Sequence, residues 1–587
     1  MYMTGLNSSC QSCQKEFEIT QGDLNFYQKL NVPPPVSCPE CRLIRKMARR
    51  NERIFYKRKC DACKTDVISM YPQDSPFTIY CNKCWWSDNW NSLDYALDYN
   101  SRQSFFDQFY ELSQKVPRLA LYQKNAINSQ YTNHSDHPKN CYLSVDVGFG
   151  EDLNYCKWVL DSKDILDSYG IRNSELCYES QDSNHCYNGI YLLYSESCVD
   201  SSFLFNCRGC KNCFLSSNLR NKTYYFLNKQ LTKLEYEKKV AEINLGDYEV
   251  FSRTKKQFFE EVLPKTLRKF GIIEKAVNST GDNLYECKNV CRSFHIVESE
   301  DSSYCMDSGN LKDCYDVYES AINCERQYES HACNRVSYSN FCSISYDDHH
   351  LEYSEMCHNS SDLFGSIGLR NKKYCILNKQ YGESEYKDLK EVVVKDMTTK
   401  GEYGVFFPER ISPFAYNETI AQEYFPLSEP EVKERGYSWR VREDKKYEGV
   451  MGSGDIPSSV DDVGDDILDK AIACSHGKKC DEQCTGAFKL IPYELQFYRR
   501  MKLPIPRLCP NCRHFARIRG RNPLKLWHRR CMCNMTNNQG QITGNRYKNT
   551  TPHFHGDEPC PNKFETSYSS SREEIIYCEQ CYNSEVV

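Results

Sequence analysis

Apolar positions recur at helical spacing in only a few stretches of the chain. Phe105, Phe109 and Leu112 form one such stripe between Arg102 and Lys115, predicting an amphipathic core helix that ends before Pro117. After Cys41, Leu43, Met47 and Ile54 can face inward while Arg42, Arg45, Lys46, Arg49 and Arg53 recur three to four residues apart, predicting a basic helix. From about Asn140 the helical period vanishes, and short segments rich in Ser, Asn, Asp, Tyr and Cys follow one another. Cys156, Cys177 and Cys198 lie 21 residues apart, as do Cys186 and Cys207. Cys305, Cys314, Cys324, Cys333 and Cys342 lie 9 or 10 apart, so two steps give a period of 18 to 19. Fixed periods near twenty, with short Tyr-, Val-, Ile- and Phe-rich strands, predict parallel β-helix coils whose inward ladders are built from Cys, Ser and Asn.

Two levels of internal repetition organise the rest. Leu219-Arg220-Asn221-Lys222, Tyr224 and Leu227-Asn228-Lys229-Gln230 return 150 residues later as Leu369-Arg370-Asn371-Lys372, Tyr374 and Leu377-Asn378-Lys379-Gln380. Each copy is expected to close with a terminal strand and a charged helical segment, near 231–242 and 384–394. With an offset of 471, Cys13, Phe17, Phe26, Tyr27, Pro33, Cys38, Cys41, Arg42, Arg58 and Cys60 map onto Cys484, Phe488, Phe497, Tyr498, Pro504, Cys509, Cys512, Arg513, Arg529 and Cys531. The expected class is therefore mainly β and multidomain: a duplicated parallel β-solenoid flanked by N- and C-terminal treble-clef or zinc-ribbon modules with short helices. The expected divisions are a double zinc module over 1–92, a helical connector over 93–139, solenoid copies with capping helices over 140–242 and 281–394, and a connector over 243–280. An extended aromatic strap and acidic linker over 395–470 and a second double zinc module over 471–587 complete the chain. Phe406-Phe407-Pro408 and Ser412-Pro413-Phe414 mark the strap, and Asp461-Asp462-Val463-Gly464-Asp465-Asp466 the flexible linker.

The chemistry resides in the cysteines. Cys10/Cys13, Cys38/Cys41, Cys60/Cys63 and Cys81/Cys84 are four Cys-x-x-Cys pairs in series, enough for two tetrahedral sites, because a two-residue gap lets one knuckle supply two thiolates. The C-terminal set reads Cys480/Cys484, Cys509/Cys512, Cys531/Cys533 and Cys578/Cys581; its last site is open, since an insertion carrying His553, His555 and Cys560 offers a substitute ligand. About four structural zinc ions are expected. All-cysteine ligation favours structural over catalytic zinc, and the repeated spacing favours ligands over buried or redox thiols.

The pattern of Cys-x-x-Cys, Phe17, Phe26-Tyr27, Pro33-Pro34-Pro35 and Cys38-Pro39-Glu40-Cys41-Arg42 resembles the small treble-clef and zinc-ribbon modules over about 35 residues. That resemblance implies zinc binding and no settled activity. The whole layout resembles a set of long, uncharacterised bacterial zinc-ribbon proteins, some labelled as CoA-transferases of the CaiB/BaiF type. Cysteine knuckles around a β-solenoid do not look like that α/β enzyme.

Charge sharpens the functional question. The net charge is −5, yet residues 42–59 carry +8 and residues 513–530 carry +7, leaving about −20 elsewhere. Arg42, Arg45, Lys46, Arg49, Arg50, Arg53, Lys57 and Arg58, with Arg513, Arg517, Arg519, Arg521, Lys525, Arg529 and Arg530, can bind a phosphate backbone, with Tyr56 or Trp527 stacking on a base. The competing reading docks these helices on the protein's own acidic solenoid. Nucleic acid, a nucleoprotein, or other proteins along the solenoid are accordingly the expected partners of a non-enzymatic scaffold. A carbohydrate-processing groove using Asp161, Asp164 and Asp167, or Asp347 and Asp348 with His349 and His350, is the weaker alternative, because Asp and Asn also serve coil corners. His185-Cys186 and Cys357-His358 are strand neighbours whose side chains point to opposite faces, so neither forms a nucleophile pair. No run of 18 apolar residues and no secretory signal appear, so a cytoplasmic protein is expected, with metal ligands rather than disulfides.

Overall fold

In the computed structural model of the chain, the structure describes residues 5–312, 315, 316, 318, 319, 321–441, 447–533 and 549–587, with backbone only over 321–325. Cys314 of the expected period lies outside them. Among the described residues the fold is mainly β with few helices: one sheet has fifteen strands, a parallel sheet has five, and a third, parallel except for its closing hairpin strand, has four. Among the described residues no helix is long and apolar enough to cross a membrane. The chain separates into two units, Met1–Leu121 with Gly271–Val441, and Tyr122–Phe270 with Arg442–Val587. Each unit thus joins one cysteine-rich module to the β run that is not adjacent to it in sequence.

In the second unit the β run is a parallel ladder in which Val145 pairs with Lys157, Lys157 with Tyr169, and Tyr169 with Gln181. Successive partners are twelve residues apart, which replaces the period of 18 to 21 expected from the cysteines. The repeating unit is smaller still. Tyr155, Trp158, Asp161, Asp164 and Asp167 all have φ between 46° and 57°, so every third residue is left-handed. Asn and Asp tolerate that conformation best, which accounts for their abundance here.

Hydrogen bonding explains the triplet. Lys157 N–H donates to Ser168 O (3.1 Å) on one neighbour, and Tyr155 N–H donates to Tyr142 O (3.0 Å) on the other. The remaining amide belongs to the buried, core-facing residue, and a serine from the adjoining strand accepts it: Cys156 N–H to Ser144 Oγ at 3.2 Å, Ser174 N–H to Ser162 Oγ at 3.1 Å, Cys186 N–H to Ser174 Oγ at 3.0 Å. Cys156 Sγ in turn donates to Asn154 O (3.2 Å) and Ile165 O (3.3 Å). A buried backbone must have its polar groups paired, and Ser and Cys at core positions serve the amides and carbonyls left over, including the N–H of apolar core residues such as Val147, which goes to Ser135 Oγ. Cysteine spacings of 9, 12 and 21 are all multiples of this triplet.

The first unit's ladder follows the same rule, with His349 paired to Ser361 and Ser361 to Lys373. Two irregularities interrupt it: at its start Ile273 pairs with Leu284, eleven residues on, and further along Gly309 pairs with Ala321 but Leu311 with Cys324, thirteen residues on. Both ladders end in an antiparallel hairpin, Thr223–Phe226 with Lys229–Gln230 and Lys373–Ile376 with Lys379–Gln380. Helices Lys233–Ala241 and Glu383–Thr399 follow at the expected charged segments.

Three expectations need correction. The first ladder begins at Gln123–Lys124, inside the expected helical connector, of which only Phe105–Lys115 is α-helical, with Phe105, Phe109 and Leu112 buried. The 243–280 connector holds a helix, Tyr248–Gln257, and a strand, Leu267–Lys269. The expected flexible linker is built into the second unit: Ile456, Val460, Val463 and Ile467 are buried in a core that includes Phe497 and Tyr498, so the acidic turns sit on an apolar underside. In the segment expected as an aromatic strap, Phe406 and Phe407 are fully buried.

Candidate metal centres and the buried basic helices

Each cysteine module is assembled by local rules. In the first, the antiparallel hairpin Leu6–Ser9 with Glu16–Ile19 presents Cys10 and Cys13, and helix Gln21–Lys29 starts from a Thr20/Asp23 capping box. Helix Pro39–Met47 opens on Cys38 with proline in its first turn, where the missing N–H costs nothing.

The side chains gather into four four-cysteine groups: Cys10, Cys13, Cys38 and Cys41; Cys60, Cys63, Cys81 and Cys84; Cys474, Cys484, Cys509 and Cys512; and Cys531, Cys560, Cys578 and Cys581. Tetrahedral zinc–thiolate bonds of about 2.3 Å require sulfur atoms about 3.8 Å apart. The observed separations fit: 3.8 Å for Cys13–Cys38, 3.9 Å for Cys63–Cys81, 3.8 Å for Cys474–Cys512 and 3.8 Å for Cys560–Cys578. All four groups share one further feature, a backbone N–H donated to the first cysteine: Cys38 to Cys10, Cys81 to Cys60, Cys509 to Cys474 and Cys578 to Cys531, at 3.2–3.3 Å. The cysteine opening the following helix is acidified in three of the four groups, whereas burial raises Cys81. A hydrogen bond from Cys41 is the largest influence holding Cys38 down to about 5, and Cys474 and Cys531 do the same for Cys509 and Cys578, each to about 4. A thiol already held as thiolate near neutral pH is a prepared metal ligand.

Two ligand assignments change. The third group takes Cys474, ten residues before Cys484, as the counterpart of Cys10; Cys480 lies beside it, 3.7 Å from Cys512. The fourth takes Cys560 in place of Cys533, because the insertion returns Cys560 to the position that a Cys-x-Cys knuckle cannot reach.

Nine of the fifteen candidate basic residues are turned inward. Arg42, Arg45, Lys46, Arg49, Arg50 and Arg58 are buried in the first unit, and Arg513, Arg517 and Arg521 in the second. Arg42 meets Asp316 at 2.7 Å, Arg45 meets Glu329 at 2.9 Å, and Arg49 and Arg118 share Glu355 at 3.5 and 2.8 Å. Lys46 stands 3.7 Å from Asp316, and Arg50 pairs with Glu52 at 2.7 Å and with Glu319. In the second unit Arg513 meets Asp167 at 2.6 Å and Glu494 at 3.2 Å, and Arg517 meets Asp167 at 3.0 Å and Glu179 at 3.5 Å. Arg521 lies 3.7 Å above the Tyr169 ring. The physical reason for the pairing is desolvation: a buried guanidinium is tolerable only beside a carboxylate, and the ladders supply it. Burial raises the Glu355 carboxyl, but Arg118 and Arg49 more than offset this and hold it below the usual range.

Of the other expected contacts, Arg58 donates to Pro72 O at 2.9 Å and pairs with Asp61 at 3.0 Å. Arg53 and Arg529 are half-buried; Lys57, Arg519, Lys525 and Arg530 are exposed, Arg519 pairing with Glu482. Tyr56 donates to Glu418, and Trp527 is half-buried under Lys525.

The alternative catalytic acids do not converge. Asp167 is consumed by Arg513 and Arg517, Asp164 accepts from Tyr493 and pairs with Arg500 at 3.0 Å, and Asp161 is exposed. Asp347 pairs with Arg335, Asp348 is buried in the ladder, and His349 and His350 are exposed. Cys186 is buried beside an exposed His185, and Cys357 beside a half-buried His358.

The Phe-Tyr pair, singled out by sequence but given no role there, reaches the ladder. Phe26 stacks on Tyr315 at 3.9 Å and Tyr27 meets Tyr328 edge-on at 5.0 Å; in the second unit Tyr498 meets Tyr178 edge-on at 6.0 Å. No family model matches the chain, and a search of curated proteins finds no match.

Proposed function

We propose that the protein is a non-enzymatic, zinc-stapled scaffold in which each cysteine module clamps a β-solenoid, with the basic helix as the clamp. Zinc is the metal that all-thiolate tetrahedral groups of this size suit best, and a closed four-cysteine shell supports a structural role. Parallel pairing every twelve residues, with a left-handed residue at every third, supports four-sided coils of four triplets each. The offsets of 471 and 150 support descent of the two units from one ancestor.

The observation that carries the reading is the pair of buried bridges, Arg42 to Asp316 and Arg513 to Asp167. Those cations neutralise the protein's own carboxylates, so they are not offered to nucleic acid, and the outer surface of the solenoid is left as a platform for other proteins. Full-length protein applied to RNA and to double-stranded DNA at low salt is expected to show no retention. Retention that weakens with salt and disappears when Lys57, Arg519, Lys525 and Arg530 are changed to Glu would restore the nucleic-acid reading.

A further inference from the structure

Beside the fourth cysteine group lies a second donor cluster, Cys533, His553, His555 and Cys581. Its members are buried except for half-buried His555, and it shares Cys581 with the Cys531, Cys560 and Cys578 group. We propose that these seven side chains hold a binuclear zinc centre bridged by the Cys581 thiolate.

The donor geometry supports a second ion. Cys533 Sγ lies 2.9 Å from His553 Nδ1 and 3.4 Å from His555 Nε2, and Cys581 Sγ lies 3.4 Å from His555 Nε2. A tetrahedral zinc with bonds of about 2.3 Å to sulfur and about 2.0 Å to nitrogen spans about 3.5 Å between those atoms, which the two 3.4 Å edges match, the Cys533–His553 edge being shorter. Cys581 Sγ is also 3.7 Å from Cys560 Sγ, an edge of the all-cysteine group, so one sulfur serves both sets.

The outer contacts point the same way. His553 Nε2–H donates to Glu585 Oε1 at 2.9 Å, with both side chains almost fully buried. His555 Nδ1–H donates to Glu558 O at 2.6 Å. Each imidazole is thereby fixed in the tautomer that turns its lone pair toward Cys533, and a carboxylate or carbonyl on the far nitrogen is the usual support of a metal-bound histidine. Asn549 Nδ2 donates to Cys533 Sγ at 3.1 Å and Asn562 Nδ2 to Cys578 Sγ at 3.3 Å, both favouring thiolates. Charge favours the pair as well. Four thiolates around one Zn²⁺ leave two negative charges in a buried site, whereas five thiolates around two Zn²⁺ leave one.

The corresponding group of the first unit, Cys60, Cys63, Cys81 and Cys84, is an internal control, because Ala62 stands where the second unit has Cys533. This inference rests on reading the cysteine groups as metal sites, and the metal count separates the two. Native mass spectrometry of the full-length chain supplied with zinc is expected to give five ions, falling to four in His553→Ala/His555→Ala and in Cys533→Ser. Protein loaded with cadmium-113 is expected to show two resonances split by mutual scalar coupling through the shared sulfur, a signature that needs no variant. Four ions in the unaltered chain, or five without a coupled pair, would overturn the bridged centre; fewer than four would remove the underlying metal reading instead.

Discussion

The two clamps differ in a way that identifies what each basic residue faces. Residue by residue, Arg42 corresponds to Arg513 and Lys46 to Arg517, and both helices place these on an aspartate, Asp316 or Asp167. Beyond that shared centre they diverge together with their ladders. Arg49 faces Glu355 in the first unit; in the second, Gly520 replaces the arginine and Phe205 the glutamate. Arg118, also on Glu355, becomes Arg268, which lies 4.7 Å from the Phe205 ring. A helix shaped by an external polyanion would keep its arginines whatever the ladder did. At this one position cation and carboxylate change together, which fits the ladder as the helix's partner, whereas Ala516 replaces Arg45 while Glu179 stays in place of Glu329 and is met by Arg517.

The strongest test of this parallel is metal. If Cys474 is the true counterpart of Cys10, Cys474→Ser loses one metal equivalent and unfolds its module, while Cys480→Ser keeps the count, read by metal analysis and by proteolysis. Structural zinc supplies on the order of 10 kcal/mol in small modules, so this is the largest effect expected. Next in size is a swap of the outer clamp. Glu355→Phe copies the second unit's ladder but strands Arg49, and is expected to cost about 3–5 kcal/mol in urea unfolding. Adding Arg49→Gly should recover about 1–3 kcal/mol, since Arg118 then meets a ring as Arg268 does. A double mutant as weak as the sum of its singles would break the matched-set argument.

The smallest effect concerns Asp348, a core-facing carboxyl whose counterpart is Cys198. It accepts Ser360 N–H at 2.6 Å, and burial raises its pKa to about 8. The folded state therefore binds a proton between about pH 4 and pH 8 that the unfolded chain has released. Stability from this site is present below about pH 4, declines as pH rises and is fully lost above about pH 8. Asp348→Ser should raise the melting temperature at pH 8, by about 1–3 kcal/mol in stability, with little change at pH 4.

What was legible in the sequence depended on how far apart the interacting residues lie. Cys-x-x-Cys knuckles declare themselves because both ligands come from one turn. Cys474 did not, since its partner is ten residues away and Cys480 offers a nearer match. The ladder period was misread because the core-facing position recurs every three residues, so cysteines fall at many multiples of three; the run Cys141, Ser144, Val147, Gly150, Leu153, Cys156 already carries the triplet. The charge of the basic helices was plain, yet Asp316 is 274 residues from Arg42 and Asp167 is 346 from Arg513, and no local pattern links them. His553 and His555 were visible as spare ligands, but only their contacts with Glu585 and Glu558 assign them a site.

The interleaving of the two units bears on how the chain is made. When the ribosome has finished Phe270, the second unit's ladder has been synthesised but its clamp helix, Pro510–Arg519, is still about 240 residues away. At about 5–20 residues per second that interval is roughly 10–50 s. The nascent ladder must spend it with Asp167 and Glu179 uncovered. Until Arg513 and Arg517 arrive, those two carboxylates, like Asp164 and Asp182 of the same ladder, are left to water.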